Sequence, residues 1–249
     1  MPEGESPPMY VGYLPAPRRE KRFLRIAVPL VLWIGAVVSG LVAWRMQDPG
    51  DGAWDIGNEQ TWEGVLRAEP YPLLEIAGSD TMEIVLLVEM SKVGPERAQA
   101  FDGQRVSVTG FELERDGRRI FELVPEDRAI SPIAGQPVPG VPAPAALGSV
   151  TLRGEIMDSK CFLGAMKPGE GQGHRACAIL CIRGGIPPML VTRDASGNAS
   201  YYLLVGEDGS GLAPEALERI GEPVEITGEL MRRGDLMMLA IGPLGVRGL

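Results

Sequence analysis

What this chain has little of narrows it first. Its 249 residues contain one histidine, His174, and three cysteines, Cys161, Cys177 and Cys181. A single imidazole excludes any metal centre that draws on several histidines. No Cys-x-x-Cys-His segment occurs, which excludes covalent haem attachment of that kind. Only one long uncharged run is strongly apolar throughout, residues 26–44, so a single membrane crossing is expected. Basic residues are scarce beyond it. Residues 1–45 hold six of the 24 Lys and Arg but only three of the 33 Asp and Glu, which leaves 18 basic against 30 acidic residues, net −12. A surface of that sign repels phosphate backbones, so no nucleic-acid partner is expected. Hydrophobic residues at 45% and charged residues at 23% are ordinary for a globular chain.

The uncharged run reads IAVPLVLWIGAVVSGLVAW. About 20 apolar residues in a helix span a hydrocarbon core of roughly 30 Å. Arg18, Arg19, Lys21, Arg22 and Arg25 precede it, whereas Asp48, Asp51, Asp55, Glu59 and Glu63 follow Arg45 with no further base before Arg67. Lys and Arg favour the cytoplasmic side, so the N-terminus is expected inside and the body outside. A cleaved signal peptide is the rival reading. It wants a shorter apolar region and small residues at a cleavage point, whereas Leu41-Val42-Ala43 is followed here by Trp44-Arg45. The expected organisation begins with a cytoplasmic tail over residues 1–22. A retained transmembrane anchor over 23–45 and a linker over 46–58 follow.

The remainder repeats itself. Residues 83–123 contain EIVLLVE, GPERAQAF and GQRVSVTGFELERDGRRIFEL. Residues 200–241 contain SYYLLVG, APEALERI and GEPVEITGELMRRGDLMMLAI in the same order. Val108-Thr109-Gly110 answers Ile226-Thr227-Gly228, and Pro95-Glu96 answers Pro214-Glu215. Period-2 runs predict strands, and the Pro-Glu openings predict short helices with proline in the first turn. With the upstream strands, each copy reads β-β-β-α-β-β. The first three strands fall near 63–67, 73–76 and 83–88 in copy one, and near 150–156, 189–192 and 201–205 in copy two. Arg115-Asp116-Gly117 and Arg233-Gly234-Asp235 supply the last hairpin turns. This element order resembles the OB-fold, a small Greek-key barrel. The fold class expected is therefore mainly β: one transmembrane helix followed by two tandem OB-fold-like five-stranded barrels. The first is expected over 59–130 and the second over 149–249. The proline-rich stretch 131–148 joins them as a semi-extended linker.

The copies differ in one place. Strands one and two are joined in copy one by a few residues around 68–71, but in copy two by an insertion, 158–187. This insertion holds every cysteine and the histidine, spaced Cys-x12-His-x2-Cys-x3-Cys. A short helix over 174–182, stopped by Gly184-Gly185 and Pro187-Pro188, would put His174, Cys177 and Cys181 on one face. Cys161 would be brought in by the preceding loop. Three thiolates and an imidazole suit zinc, and a cuprous ion also favours thiolates. Met157 and Met166 are near enough in sequence to offer a thioether. Asp158 and Lys160 flank Cys161 as supporting partners or as exposed loop charges. Outside the cytoplasm thiols also become disulfides. Cys161 pairing with Cys177 or Cys181 would staple the loop and leave one free thiol. Thiol catalysis, with His174 beside a cysteine, is a third reading.

Two likenesses bear on this segment. The run from Gly154-Glu155-Ile156 through Asp158-Ser159-Lys160-Cys161 to His174-Arg175-Ala176-Cys177-Ala178 and Cys181-Ile182 resembles one found in uncharacterised bacterial membrane-anchored periplasmic proteins. That resemblance implies a bacterial inner-membrane setting and no particular activity. The Cys-x3-Cys spacing is similar to that of the dinuclear copper site of cytochrome oxidase subunit two. That site, however, has a histidine after its second cysteine, where this chain has none. A bitopic anchor with an exported OB-fold also resembles the haem chaperone of cytochrome c maturation, but the His-x-x-x-Tyr setting is lacking here, since Ala178 stands four places after His174. The expected function is a non-enzymatic accessory role: metal delivery, or redox or assembly support of a membrane complex through a membrane or periplasmic partner. A disulfide-stapled interaction module and a thiol-disulfide oxidoreductase are the alternatives.

Overall fold

The computed structural model describes residues 18–46, 52–78, 81–125, 127–134 and 143–249. Most of the expected cytoplasmic tail, half of the expected proline-rich linker and part of the juxtamembrane linker lie outside these residues.

The basic and apolar runs of the N-terminal region form one continuous helix, α1 (Arg18–Arg45), with none of its side chains buried in protein. Twenty-eight residues rise about 42 Å at 1.5 Å each, enough to cross a bilayer core with its basic first turns beyond it. Pro29 lies inside the helix without ending it. By length and composition α1 can span a membrane.

The described residues after Asp48 form one compact unit built of two closed barrels. Barrel one consists of β2 (Gln60–Arg67), β3 (Leu73–Ala77), β4 (Met82–Glu89), β5 (Arg105–Arg115) and β6 (Arg118–Leu123). Its strands pair in the order β5-β2-β3-β4-β6, and β6 returns to β5 to close the ring. Two short strands, β1 (Ala53–Trp54) and β7 (Ile130–Pro132), lie along β5. Thus residues 53–54, expected in a linker, pair in the sheet. Barrel two consists of β8 (Ala145–Asp158), β9 (Pro188–Arg193), β10 (Ala199–Gly206), β11 (Pro223–Arg233) and β12 (Leu236–Ile241). It closes the same way, β12-β10-β9-β8-β11 and back to β12, with β13 (Val246–Gly248) beside β11.

The repeat is therefore structural. In each barrel the third strand runs parallel to the fifth, Leu86 beside Ile120 and Leu203 beside Met238. The Pro-Glu segments form short 3-10 helices, Glu96–Phe101 and Pro214–Arg219, in place of α-helices. The shared Thr-Gly steps have a steric cause. A Cβ on Gly110 would stand 2.1 Å from the Glu122 carbonyl oxygen, and one on Gly228 would stand 2.3 Å from that of Ala240.

Three apolar cores result, because several strands are buried on both faces. In β4, Val85 and Leu87 point into barrel one, while Ile84, Leu86 and Val88 point out of it. In β10, Leu204 points into barrel two, and Leu203 and Val205 point out. The outward sets pack against each other, so the third core lies between the barrels. Doubly buried strands read as unbroken apolar runs, which is the pattern of IVLLV and YYLLV. Polar contacts fix the pairing. Arg233 reaches the buried Glu75 carboxylate at 2.5 Å, and Asp235 accepts the Ile84 N–H at 2.7 Å. Reciprocally, Asp116 in the barrel-one hairpin accepts a hydrogen bond from the Tyr201 hydroxyl.

Candidate metal centre

The insertion occupies the whole connection from the end of β8 at Asp158 to the start of β9 at Pro188. Its neck is closed by the Ser159 N–H on the Pro187 carbonyl at 3.0 Å. Cys161 opens a single wide helical turn, Cys161–Ala165, whose Phe162 and Leu163 are fully buried in the core between the barrels. α2 (Arg175–Arg183) carries Cys177 and Cys181 one turn apart and begins just after His174. Gly184 and Gly185 end it, with the Ile186 N–H returning to the Cys181 carbonyl at 3.0 Å. Anchoring by Phe162 on one side and by Ala178 and Ile182 on the other sets the two pieces face to face.

The three thiols converge. The Sγ atoms of Cys161, Cys177 and Cys181 lie within 4.8 Å of one another, and all three are free. Cys161 and Cys181 are buried, and Cys177 is half-buried at the rim. Such a cluster can hold an ion. Sulfur atoms about 2.3 Å from a common ion stand close to 4 Å apart, a spacing this cluster can meet. His174 belongs to a second group with Asp158 and Cys161, again within 4.8 Å, so the two groups share Cys161. Its Nε2 lies 2.8 Å from Asp158 Oδ2 and its Nδ1 lies 3.2 Å from Met166 Sδ. The other Asp158 oxygen accepts the Cys161 N–H at 2.8 Å. Fully buried Asp158 thereby ties the turn of Cys161 to the start of α2. Met157, by contrast, is a core residue between the barrels.

Barrel one supplies what the sequence pattern did not show. Lys92, in the loop after β4, places Nζ 2.6 Å from Cys177 Sγ and 3.8 Å from Cys181 Sγ. Its neighbour by position, Lys160, turns away from the sulfurs. Lys160 Nζ donates to the Glu89 and Ser91 carbonyls at 2.8 Å each and pairs with Glu122 at 2.9 Å. No local spacing links Lys92 to a cysteine far downstream.

The sulfurs share protons unevenly. The Cys161 thiol donates to Cys181 and is buried beside Asp158, which raises its pKa strongly. Cys181, receiving that bond, and attracted by Lys92 against the cost of burial, is pushed down to about 7. The Lys92 ammonium is held above its usual range, first by its bond to Cys177 and further by the charges of all three sulfurs. A thiolate near neutral pH is the form that ligates metal or acts as a nucleophile.

Comparison with protein-family models, with curated proteins and with solved structures found no match to this chain.

Proposed function

We propose that this protein is a single-pass anchor of a bacterial inner membrane that presents a thiolate metal site, Cys161, Cys177 and Cys181, to the periplasm. The convergence of three free sulfurs from two separated pieces of the insertion carries this reading. His174 supports it through Asp158, orienting the Cys161 turn, in the manner of the outer partners that hold metal ligands in place. The donors suit zinc or a cuprous ion, with metal delivery or support of a membrane complex as the role. The half-buried rim position of Cys177 fits exchange with a partner, since an ion moves between proteins only through an accessible ligand. The basic residues before residue 26 and the acidic flank after Arg45 support the orientation.

The test is elemental analysis with thiol counting on the purified full chain in detergent. One zinc or copper per chain, with three thiols protected from alkylation, is the expected result. A chain free of metal after titration with either ion, with two sulfurs oxidised, would set the reading aside. A periplasm-active reporter fused after residue 249 should be active, and one fused at residue 20 silent.

A further inference from the structure

The contact between Lys92 and Cys177 is closer than a hydrogen bond to sulfur calls for. At 2.6 Å, it falls below the range of about 2.7–3.2 Å for N–H···O bonds, although sulfur is the larger acceptor. The contact is also built. On one side of Lys92, Lys160 grips the carbonyls of Glu89 and Ser91 at 2.8 Å each, with Ser91 at φ 78° to make the turn. On the other side, the Gly94 N–H donates to the Gly184 carbonyl at 2.7 Å, just past the end of α2. The loop is thus pinned at both ends with its lysine over one sulfur. Lys92 is exposed and Cys177 half-buried, so a small oxidant reaches both atoms.

We propose that Lys92 and Cys177 are a redox modification site, where dioxygen links the lysine nitrogen to the cysteine sulfur through a single oxygen atom. Thiol, amine and dioxygen give the S–O–N bridge and one water. The S–H bond and one N–H bond are lost, and S–O and O–N bonds form. Sulfur and nitrogen each give up two electrons, and these four reduce dioxygen to the bridging oxygen and the water. Four equivalents of a small thiol return the original pair with one water and two disulfides. One oxygen bonded to both atoms spans a gap of this size, whereas a direct S–N bond would need the loop to move inward. Disulfides of Cys177 with Cys161 or with Cys181 are the competing fates, the second disfavoured because one helical turn aligns the Cβ vectors poorly. The bridge would join barrel one covalently to α2 and withdraw Cys177 from the sulfur cluster. Oxidation would then loosen any ion held there.

The experiment uses the full chain in detergent, stripped with a chelator so that no bound ion takes part, and held in air-saturated buffer. Intact mass should rise by one oxygen less two hydrogens. Digestion should yield one cross-linked peptide pair containing Lys92 and Cys177, released by dithiothreitol. Lys92→Arg and Cys177→Ser should abolish the product, and Cys181→Ser should retain it. Loss of two hydrogens without oxygen, oxygen gain without cross-link, or an unchanged mass would each overturn the proposal. Metal binding by the reduced protein is measured separately. That measurement uses the unsubstituted chain before any exposure to air, so loss of metal binding and absence of the cross-linked product are separate outcomes.

Discussion

Lys160 of barrel two and Glu122 of barrel one form an ion pair at 2.9 Å with side chains 6% and 0% exposed, across the junction of the barrels. Burial raises the Glu122 pKa, and the Lys160 ammonium opposes that rise. A buried pair is costly to break because the remaining charge is left without water. Lys160→Met should therefore lower unfolding stability by about 3–5 kcal/mol. The double change Lys160→Met with Glu122→Leu should recover most of that loss. Denaturant midpoints of the unsubstituted chain and the two variants decide it; equal losses in the single and double variants would show that the charges are not the cause.

Cys181 gives the site a pH dependence. Its pKa, lowered to about 7 by the Cys161 thiol and by Lys92, makes the thiolate fraction rise through neutrality as pH increases. Ultraviolet thiolate absorbance of the metal-free protein should show a step of one equivalent per chain centred near pH 7. Below that midpoint the sulfur is protonated, so metal uptake should weaken as pH falls. Lys92→Ala should move the step to higher pH. A first step only in the ordinary thiol range, about 8.5, would contradict the shared-proton arrangement.

Much of this architecture was legible because local signals agreed with the global fold. VTG and ITG mark strands whose glycines pass under a neighbouring carbonyl, and the closing hairpin of barrel one needs Asp116 and Gly117 at positive φ. The insertion, 158–187, was visible as a break in the repeat, and its helix as a run between His174 and two glycines. Docking of the barrels was not visible. The outward residues of β4 and β10 are apolar like the inward ones, and sequence alone does not say which partner covers a second apolar face. The same gap hid Lys92. Its role depends on where one barrel sits on the other, and no spacing rule carries that information. His174 was expected with the sulfurs as a fourth ligand. The structure groups it with Cys161 and Asp158, because an adjacent buried carboxylate holds its Nε2.

That placement changes what a histidine substitution should do. His174→Ala leaves Asp158 buried with one partner fewer and frees the Cys161 turn. Metal affinity should fall about 10–100-fold, the usual effect of losing a supporting partner. Cys181→Ser should remove binding altogether. Competition with a chromophoric chelator measures both. Equal and complete loss in the two variants would make His174 a direct ligand.

The last prediction concerns Gly184, which sits where barrel one meets α2. A Cβ there would lie 1.9 Å from the Lys92 carbonyl oxygen, a backbone atom that the loop cannot rotate aside. The residue adopts φ −80° and ψ −1°, which any side chain tolerates, so the objection to alanine is contact alone. Gly184→Ala must therefore push the loop of Lys92 off the end of α2. Overpacking of this kind costs about 1–3 kcal/mol. It should also separate Lys92 from Cys177, the most exposed of the three sulfurs, and speed its alkylation by iodoacetamide in the reduced protein. Gly173 lies in the same insertion with nothing within 4 Å of a built Cβ. Gly173→Ala is therefore the matched control and should be nearly silent in both measurements. If the two variants melt alike and alkylate alike, then Lys92 is not held over Cys177 by this junction. The pinned loop would lose its physical basis, and the close approach of nitrogen to sulfur would need another cause.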